Sequence, residues 1–279
     1  MTHPAATLNS LEAGATVLRT PCGDGSMVWR VWGEGEPLVL LHGGFGSWNH
    51  WARNVEALAA HYRVIAADMP GQGDSHDPPR PYDADSLAAI VTDGVRRLTH
   101  VGERVRLMCF SFGAVIGGQV AANLGEQVVS FTGVGAAGMG ERGPVTRTMA
   151  RVEGHMGAEE RDATFRHNLG VLMFADAGNI DPLALRIQAI NTARNRIRSR
   201  PISLTDRLAR TFPDIRGRIN LIWGGEDITA IGYFDRRHDA LRAIQPEAGV
   251  AVLDGVGHWV QYEAAERFNT TALGMLGED

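Results

Sequence analysis

The stretch Arg104-Val-Arg-Leu-Met-Cys-Phe-Ser111-Phe-Gly113-Ala114-Val-Ile-Gly-Gly118 joins an apolar run of β-forming residues to a run with helical character. Ser111 stands at the junction. A serine on a sharp strand-to-helix turn projects its hydroxyl above the sheet, where it can meet a base and a substrate carbonyl. A serine that ends a strand is also a common helix N-cap. The turn favours small residues two positions before and after the serine, and the chain has Gly113 after it but Cys109 before it.

Apolar runs alternate with longer amphipathic runs on both sides of this junction. The predicted strands are 27–32, 37–41, 62–68, 104–110, 128–136, 219–223 and 249–253, and the predicted helices are 55–60, 85–99, 112–123, 235–243 and 261–276. Continuous apolar strands separated by helices are typical of a parallel sheet covered on both faces. The sequence therefore predicts an α/β fold with a mainly parallel central sheet flanked by helices.

The alternation stops between residues 138 and 218. This block has helical patterns rich in Met, Arg and acidic residues, and it contains no convincing strand. We interpret it as a helical cap inserted into a core formed by residues 1–137 and 219–279, because the strands on both sides need one sheet to complete them. Met139, Met149, Met156 and Met173 either form the wall of an adaptable pocket or the core of the cap.

Two further residues follow strands of the predicted sheet. Asp227 comes after the strand 219–223, and His258 comes after the last strand. A serine nucleophile needs a general base, and the base needs a group that orients it. Ligands bind beyond the carboxyl ends of parallel strands, so the order Ser111, Asp227, His258 predicts a catalytic triad there. Glu226 is the competing acid, and we favour Asp227 by its position in the loop.

The loop His42-Gly43-Gly44-Phe45-Gly46 follows another buried strand. Glycines let a backbone approach a bound carbonyl closely, so the N–H groups of Gly44 and Phe112 are the predicted oxyanion-hole donors. We expect Gly43, Phe45 and Phe110 to contact the substrate, and His42 to have a structural role.

Composition excludes several other classes of protein. The chain has 279 residues, of which 44% are hydrophobic and 21% are charged, and its net charge is −5. The chain has no block of like charge, so its charge gives no reason to expect nucleic-acid binding. Cys22 and Cys109 form no disulfide framework and have no metal-type spacing to histidine or to another cysteine, so we expect no metal site. No signal peptide and no membrane-length apolar run is present, so we expect a cytoplasmic protein without membrane attachment. The sequence leaves a homodimer open.

Together these motifs resemble the α/β-hydrolase superfamily. The likeness rests on His42-Gly-Gly, Asp68-x-Pro-Gly-x-Gly-x-Ser75, the turn around Ser111, Gly224-x-x-Asp227 and Gly257-His258. It covers residues 15–138 and 218–279. It implies a Ser111–His258–Asp227 triad under a helical cap.

A narrower likeness lies in the run from His258-Trp259-Val-Gln261 to Phe268-Asn269. It is similar to the tail of the meta-cleavage-product hydrolases, which split carbon–carbon bonds in 2-hydroxy-6-oxo-dienoates. This likeness implies that Trp259 lines the pocket and that Arg186, in a stretch similar to their cap helix, binds a substrate carboxylate. That group has Gly-Asn-Ser-Met-Gly at the turn, whereas this chain has Cys109-Phe-Ser-Phe-Gly113.

Three hypotheses about function follow. The first is a cofactor-independent hydrolase that cleaves a carbon–carbon bond in a small carboxylated diketone. The second is a carboxylesterase acting on small esters. The third is a non-catalytic receptor for a small ligand, since one fold can support unrelated functions.

Overall fold

One sheet of eight strands organises the part of the chain that the computed structural model describes, which is residues 4–141, 143 and 148–277. The strands are β1 (Thr16–Cys22), β2 (Gly25–Trp32), β3 (Pro37–Leu41), β4 (Arg63–Asp68), β5 (Val105–Phe110), β6 (Val128–Val134), β7 (Arg218–Gly224) and β8 (Gly249–Leu253). Their spatial order is β1-β2-β4-β3-β5-β6-β7-β8. The pairs β1/β2 and β2/β4 are antiparallel, and all the others are parallel. The predicted mainly parallel sheet is therefore confirmed.

Helices cover both faces of this sheet. They are α1 (Pro4–Ala13), α2 (Val55–Ala59), α3 (Ala84–Leu98), α4 (Phe112–Leu124), α5 (Ala158–Leu172), α6 (Pro182–Ala193), α7 (Arg200–Ser203), α8 (Arg207–Thr211), α9 (Phe234–Ile244), α10 (Val260–Glu263) and α11 (Ala265–Gly277). The single helix predicted over 261–276 is divided at Ala264, which has φ −124° and ψ 50°.

Side chains alternate between the two faces along each strand, as the strand period of two requires. On β3, Val39 and Leu41 pack in the cluster that includes α3 and α4. Leu38 and Leu40 pack in the opposite cluster, with α2 and α11. Burial on both faces explains why β3 is apolar throughout.

The edge strand β1 was missed by the sequence analysis. Its first four residues are exposed, and its burial alternates only at Thr20 and Cys22. Its large apolar residues, Val17 and Leu18, are adjacent and exposed, so β1 shows neither a continuous apolar run nor a period of two, the signals that identified the other strands.

The block between β6 and β7 contains helices α5 to α8 and no strand among its described residues. On α6, Asn191 Nδ2 donates to Asn49 Oδ1 at 2.8 Å, and Asn191 Oδ1 accepts from Ser47 Oγ at 2.8 Å. Helices α7 and α8 pack on α4. The division into a core and a cap remains a prediction.

Within residues 4–141, 143 and 148–277, no helix has both the length and the apolar character needed to cross a membrane.

Candidate active site

Ser111 connects β5 to α4 with a backbone conformation that is rare for a residue with a side chain. Its φ is 50° and its ψ is −114°. Such strain persists only where the surroundings fix it. Here the Ser111 N–H donates to Val134 O at 2.9 Å, and the Ser111 carbonyl accepts from the Ala114 N–H at 2.9 Å. Ser111 occupies the N-cap position of α4, but its side chain makes no capping hydrogen bond.

Small residues on α4 let the helix approach β3 and β5 closely. A Cβ on Gly113 would lie 2.8 Å from Leu41 O. A Cβ on Gly117 would overlap Cys109 Sγ and lie 3.0 Å from Cys109 Cβ. The Cys109 thiol thus occupies the space that Gly117 leaves open, which explains how this turn accommodates a cysteine two residues before the serine. Burial raises the pKa of this thiol well above its usual range.

His258 links Ser111 to Asp227. His258 Nε2 lies 2.9 Å from Ser111 Oγ, and His258 Nδ1 lies 2.8 Å from Asp227 Oδ2. A proton on Nδ1, donated to the carboxylate, leaves Nε2 free to accept from the serine hydroxyl. The structure therefore brings these three predicted residues into one hydrogen-bonded chain.

The Asp227 carboxylate is buried and held by two further donors. Its Oδ1 accepts from the Thr229 N–H at 2.8 Å and from Thr229 Oγ1 at 2.7 Å. Burial alone would raise the Asp227 pKa, but the attraction and hydrogen bond of His258 and the two Thr229 donors outweigh it, so the pKa lies below its usual range. Glu226 is exposed, so the competing acid does not reach His258.

The loop after β3 lies directly against the serine turn. A Cβ on Gly44 would lie 3.8 Å from Phe112 Cβ, so the two predicted oxyanion-hole residues are adjacent. Within the described residues, the N–H groups of Gly44 and Phe112 donate no hydrogen bond. The Gly43 N–H instead donates to His50 Nδ1 at 3.3 Å. Two N–H groups beside the serine are therefore available to an oxyanion.

Two buried histidines flank this loop. His42 Nε2 accepts from the Met69 N–H at 3.0 Å, and His42 Nδ1 lies 2.7 Å from Gly43 O. Burial lowers the pKa of His42 to about 4. Burial, together with the nearby His42 and His258, lowers the pKa of His50 well below its usual value. Both rings are therefore neutral at neutral pH.

A cavity of about 740 Å³ opens above Ser111 and His258. Most of its wall is apolar, and Met139, Met149 and Met173 belong to it whereas Met156 does not. Its charged lining residues, among those described, are Arg198, Arg200 and Arg237, and no acidic side chain lines it.

Arg237 is the buried member of the three arginines. Its Nη2 donates to Glu141 O at 2.6 Å and to Thr229 O at 3.0 Å. Its Nε and Nη1 have no hydrogen-bond partner within the described residues. Burial lowers the pKa of this guanidinium, although Asp227 acts in the opposite direction.

Phe45 and Phe110 line the cavity as expected, but Gly43, Trp259 and Arg186 do not. Trp259 is buried behind His258, stacks on Tyr262 at 4.1 Å between ring centroids, and donates its Nε1–H to His50 O at 3.1 Å. Arg186 is exposed on α6. The buried face of that helix carries Ala184, Ile187 and Asn191, and a residue at position 186 points away from it.

Neither His50 nor Arg237 was predicted from the sequence, whereas Arg198 and Arg200 lie in the arginine-rich segment 186–210. His50 lies in a 3₁₀ turn, Trp48–Trp51, that has no apolar periodicity. Arg237 lies on α9, ten residues after Asp227, and an arginine on an amphipathic helix carries no signal of burial. No sequence pattern available in a single chain identified either residue.

The turn Asp68-Met-Pro-Gly71-Gln-Gly73-Asp74-Ser75 has a structural role. Asp68 Oδ1 accepts from the Trp48 N–H at 2.9 Å, and Asp68 Oδ2 pairs with Arg30 at 3.0 Å. In the described residues, no group of three His, Cys, Asp or Glu side chains is arranged to hold a metal ion.

Comparison with known proteins identifies a family and several relatives of this chain. The sequence model of the alpha/beta hydrolase family matches residues 38–271. The chain is 30% identical over 260 residues to a 2-hydroxy-6-oxononadienedioate/2-hydroxy-6-oxononatrienedioate hydrolase of Paraburkholderia phymatum. The aligned region covers 87% of this chain and 88% of that protein. It is 31% identical over 252 residues to the dihydrolipoyllysine-residue acetyltransferase component of an acetoin cleaving system from Pseudomonas putida, covering 87% of this chain but spanning only 64% of that relative.

Solved structures show the same fold. A meta-cleavage product hydrolase superposes with a TM-score of 0.71 at 23% identity, covering 94% of this chain and 98% of that one. An esterase from Rhodococcus superposes with a TM-score of 0.74 at 22% identity, with the same two coverages. The resemblance to meta-cleavage-product hydrolases inferred from the motifs is thus confirmed, and esterases share the fold.

Proposed function

Because the chain belongs to the alpha/beta hydrolase family, we propose that it is a cofactor-independent serine hydrolase with Ser111 as nucleophile, His258 as general base and Asp227 as the group that orients His258. The observation that carries this proposal is the chain of hydrogen bonds from Ser111 Oγ through His258 to Asp227, at 2.9 and 2.8 Å. The N–H groups of Gly44 and Phe112 beside the serine, which donate to no other group in the described part of the chain, support it.

The reaction has two steps, acylation of Ser111 and hydrolysis of the acyl-serine, and both use these groups. Ser111 Oγ attacks a substrate carbonyl carbon while its proton passes to His258 Nε2, and Asp227 stabilises the resulting imidazolium. The carbonyl oxygen becomes an oxyanion between the Gly44 and Phe112 N–H groups. The intermediate collapses to an acyl-serine, the leaving group takes the proton from His258, and water then releases the acid by the same steps.

We propose a small carboxylated substrate of the 2-hydroxy-6-oxo-dienoate type. The cavity wall is mostly apolar, and its charged lining side chains, in the described part of the chain, are three arginines. Arginine suits a carboxylate because its planar fork donates two hydrogen bonds. In such a substrate the dienol first becomes a ketone, so that the leaving carbon can bear the electron pair of the broken carbon–carbon bond. Residues 138–218 act as the cap that covers the bound substrate.

A carboxylesterase is the second candidate, and Phe110 favours it. The residue before the nucleophile offers only a phenyl ring, which is 1% exposed and packs on His258 at 5.1 Å between centroids. That ring cannot hydrogen-bond a dienoate. An ester with an apolar acyl group needs no such bond.

The test is parallel turnover of a chromogenic dienoate and a short-chain aryl ester. The native protein is compared with Ser111→Ala, Arg200→Ala and Arg186→Ala. A dienoate substrate predicts that Arg200→Ala raises KM for the dienoate about 10-fold and leaves the ester unchanged, because a charged hydrogen bond contributes about 1.5–3 kcal/mol. Arg186→Ala is the matched control, since Arg186, like Arg200, is an exposed arginine but does not line the cavity, which predicts no change with either substrate.

Faster turnover of the ester and equal behaviour of the two arginine variants would favour the carboxylesterase. Ligand-induced stabilisation without any turnover would identify a receptor.

A further inference from the structure

The orientation of the Gly44 N–H depends on the peptide group that joins Gly43 to Gly44. In a trans peptide the C=O and the N–H point in opposite directions, so fixing the Gly43 carbonyl also fixes the Gly44 N–H. His42 lies 2.7 Å from that carbonyl through Nδ1. Because His42 Nε2 accepts from the Met69 N–H, its proton is on Nδ1 and is donated to Gly43 O.

His50 holds the other side of the same residue. Its Nδ1 lies 3.3 Å from the Gly43 nitrogen and accepts that N–H. Gly43 therefore donates to one histidine and accepts from another. A Cβ on Gly43 would lie 2.8 Å from the Phe110 ring and 3.4 Å from Ser111 Cβ, so this backbone lies directly on the serine turn.

The His50 ring is itself fixed by packing. It lies 5.6 Å from Phe110 and 5.1 Å from Trp259 between ring centroids. The 3₁₀ turn that carries it is anchored at both ends, because the Trp48 N–H donates to Asp68 and the His50 carbonyl accepts from Trp259 Nε1 at 3.1 Å. His50 is 2% exposed, so its acceptor nitrogen cannot exchange Gly43 for water.

We infer that His50 is a positioning residue for the oxyanion hole: by accepting the Gly43 N–H it fixes the His42–Gly43 peptide, and together with the His42 bond to Gly43 O this holds the Gly43–Gly44 peptide so that the Gly44 N–H points at the substrate oxyanion. This inference rests on the proposed serine hydrolase function. The neutral state that His50 needs for this bond is consistent with the lowering of its pKa by burial.

Two variants separate this role from simple packing. Asn and Leu have nearly the same shape, so His50→Asn and His50→Leu leave similar cavities. Asn keeps an acceptor, Oδ1, near the place of His50 Nδ1, whereas Leu has none. A packing role predicts equal losses, and a positioning role predicts that only Asn retains activity.

We expect kcat of His50→Leu to fall about 10–100-fold with KM changed less than about 3-fold, since removal of an oxyanion donor costs about 10²–10³ and here the donor is only displaced. We expect His50→Asn to stay within about 5-fold of the native kcat. The inhibition constant of an aryl trifluoromethyl ketone, whose adduct carries the oxyanion, should rise in parallel with the loss of kcat.

Equal kcat in the two variants, or an effect on KM alone, would overturn the inference about His50. Loss of turnover in Ser111→Ala would show that the proposed function still holds in that case. A native protein without turnover would overturn the proposed function as well. If neither variant folds, nitrogen NMR of the native protein decides, because the inference requires the His50 proton on Nε2. A proton on Nδ1 would overturn it.

Discussion

Substituting Gly117 by alanine tests whether Cys109 and α4 share one space. The new methyl group would overlap Cys109 Sγ, lie 3.0 Å from Cys109 Cβ and lie 3.4 Å from Leu41 Cδ1. Neither side can move freely, because β5 is buried and α4 begins at the strained Ser111. In an open helix, the same change would stabilise the protein by about 1 kcal/mol.

The magnitude follows from these two opposing effects. Overpacking costs about 1–3 kcal/mol, and a contact this close lies at the upper end. We therefore expect Gly117→Ala to lower the free energy of unfolding by about 2 kcal/mol net of helix propensity. Cys109→Gly alone should cost about 2 kcal/mol, through the lost thiol and the flexibility of glycine in a strand. The double variant should cost about 1 kcal/mol, whereas independent effects would cost about 4 kcal/mol.

Urea denaturation followed by tryptophan fluorescence measures all four proteins of this cycle. Gly274→Ala is the matched control, because Gly274 is an exposed helical glycine whose new Cβ would contact nothing within 4 Å beyond its own helix among the described residues. That control should gain about 0.5–1 kcal/mol. A Gly117→Ala protein as stable as the native one, or a double variant whose loss is additive, would refute the shared-space explanation.

Two other consequences can be measured separately. Burial lowers the pKa of His42 from 6.5 to about 4 in the folded protein. Between these two pH values His42 is protonated in the unfolded chain but neutral in the folded protein. The free energy of unfolding should therefore fall by about 3 kcal/mol, through this residue, as pH drops from about 6.5 to 4. His42→Gln, whose Oε1 can still accept from Met69, should show a shallower pH dependence of its urea midpoint, and an unchanged slope would contradict the assignment. Asp227→Asn should lower kcat by about 10³–10⁴-fold, because the amide oxygen would stay with the two Thr229 donors and the NH2 group would donate to His258 Nδ1, leaving the imidazole proton on Nε2. The exposed Glu226→Gln should stay within about 2-fold, and a loss below 10-fold in Asp227→Asn would exclude the orienting role.

The sheet and the order of the three site residues could be predicted from the sequence for clear physical reasons. Strands buried on both faces must be apolar throughout, so β3 was predicted with the bounds it has. The half-buried edge strand β8 was also predicted with its bounds, because its residues form an apolar run. Parallel strands end at one edge, so Ser111, Asp227 and His258 were expected together. The distances and rotamers that join them needed the folded chain.

Other features depend on how elements pack, which one sequence does not encode locally. Arg186 is exposed because α6 turns Ala184 and Ile187 inward, and the opposite rotation would have fitted the amphipathic pattern as well. Trp259 was expected in the pocket, but Tyr262 and Phe174 draw it into the core behind His258. The role of His50 arises from a contact with Gly43, seven residues away through an irregular loop.

Labelling with a fluorophosphonate, followed by peptide mapping by mass spectrometry, tests whether Ser111 is an activated nucleophile. We expect one phosphonyl group per chain, located on Ser111, with activity lost in proportion to labelling and no adduct in Ser111→Ala. An adduct at another residue that removes activity, or full activity in a protein labelled at Ser111, would contradict this role of Ser111.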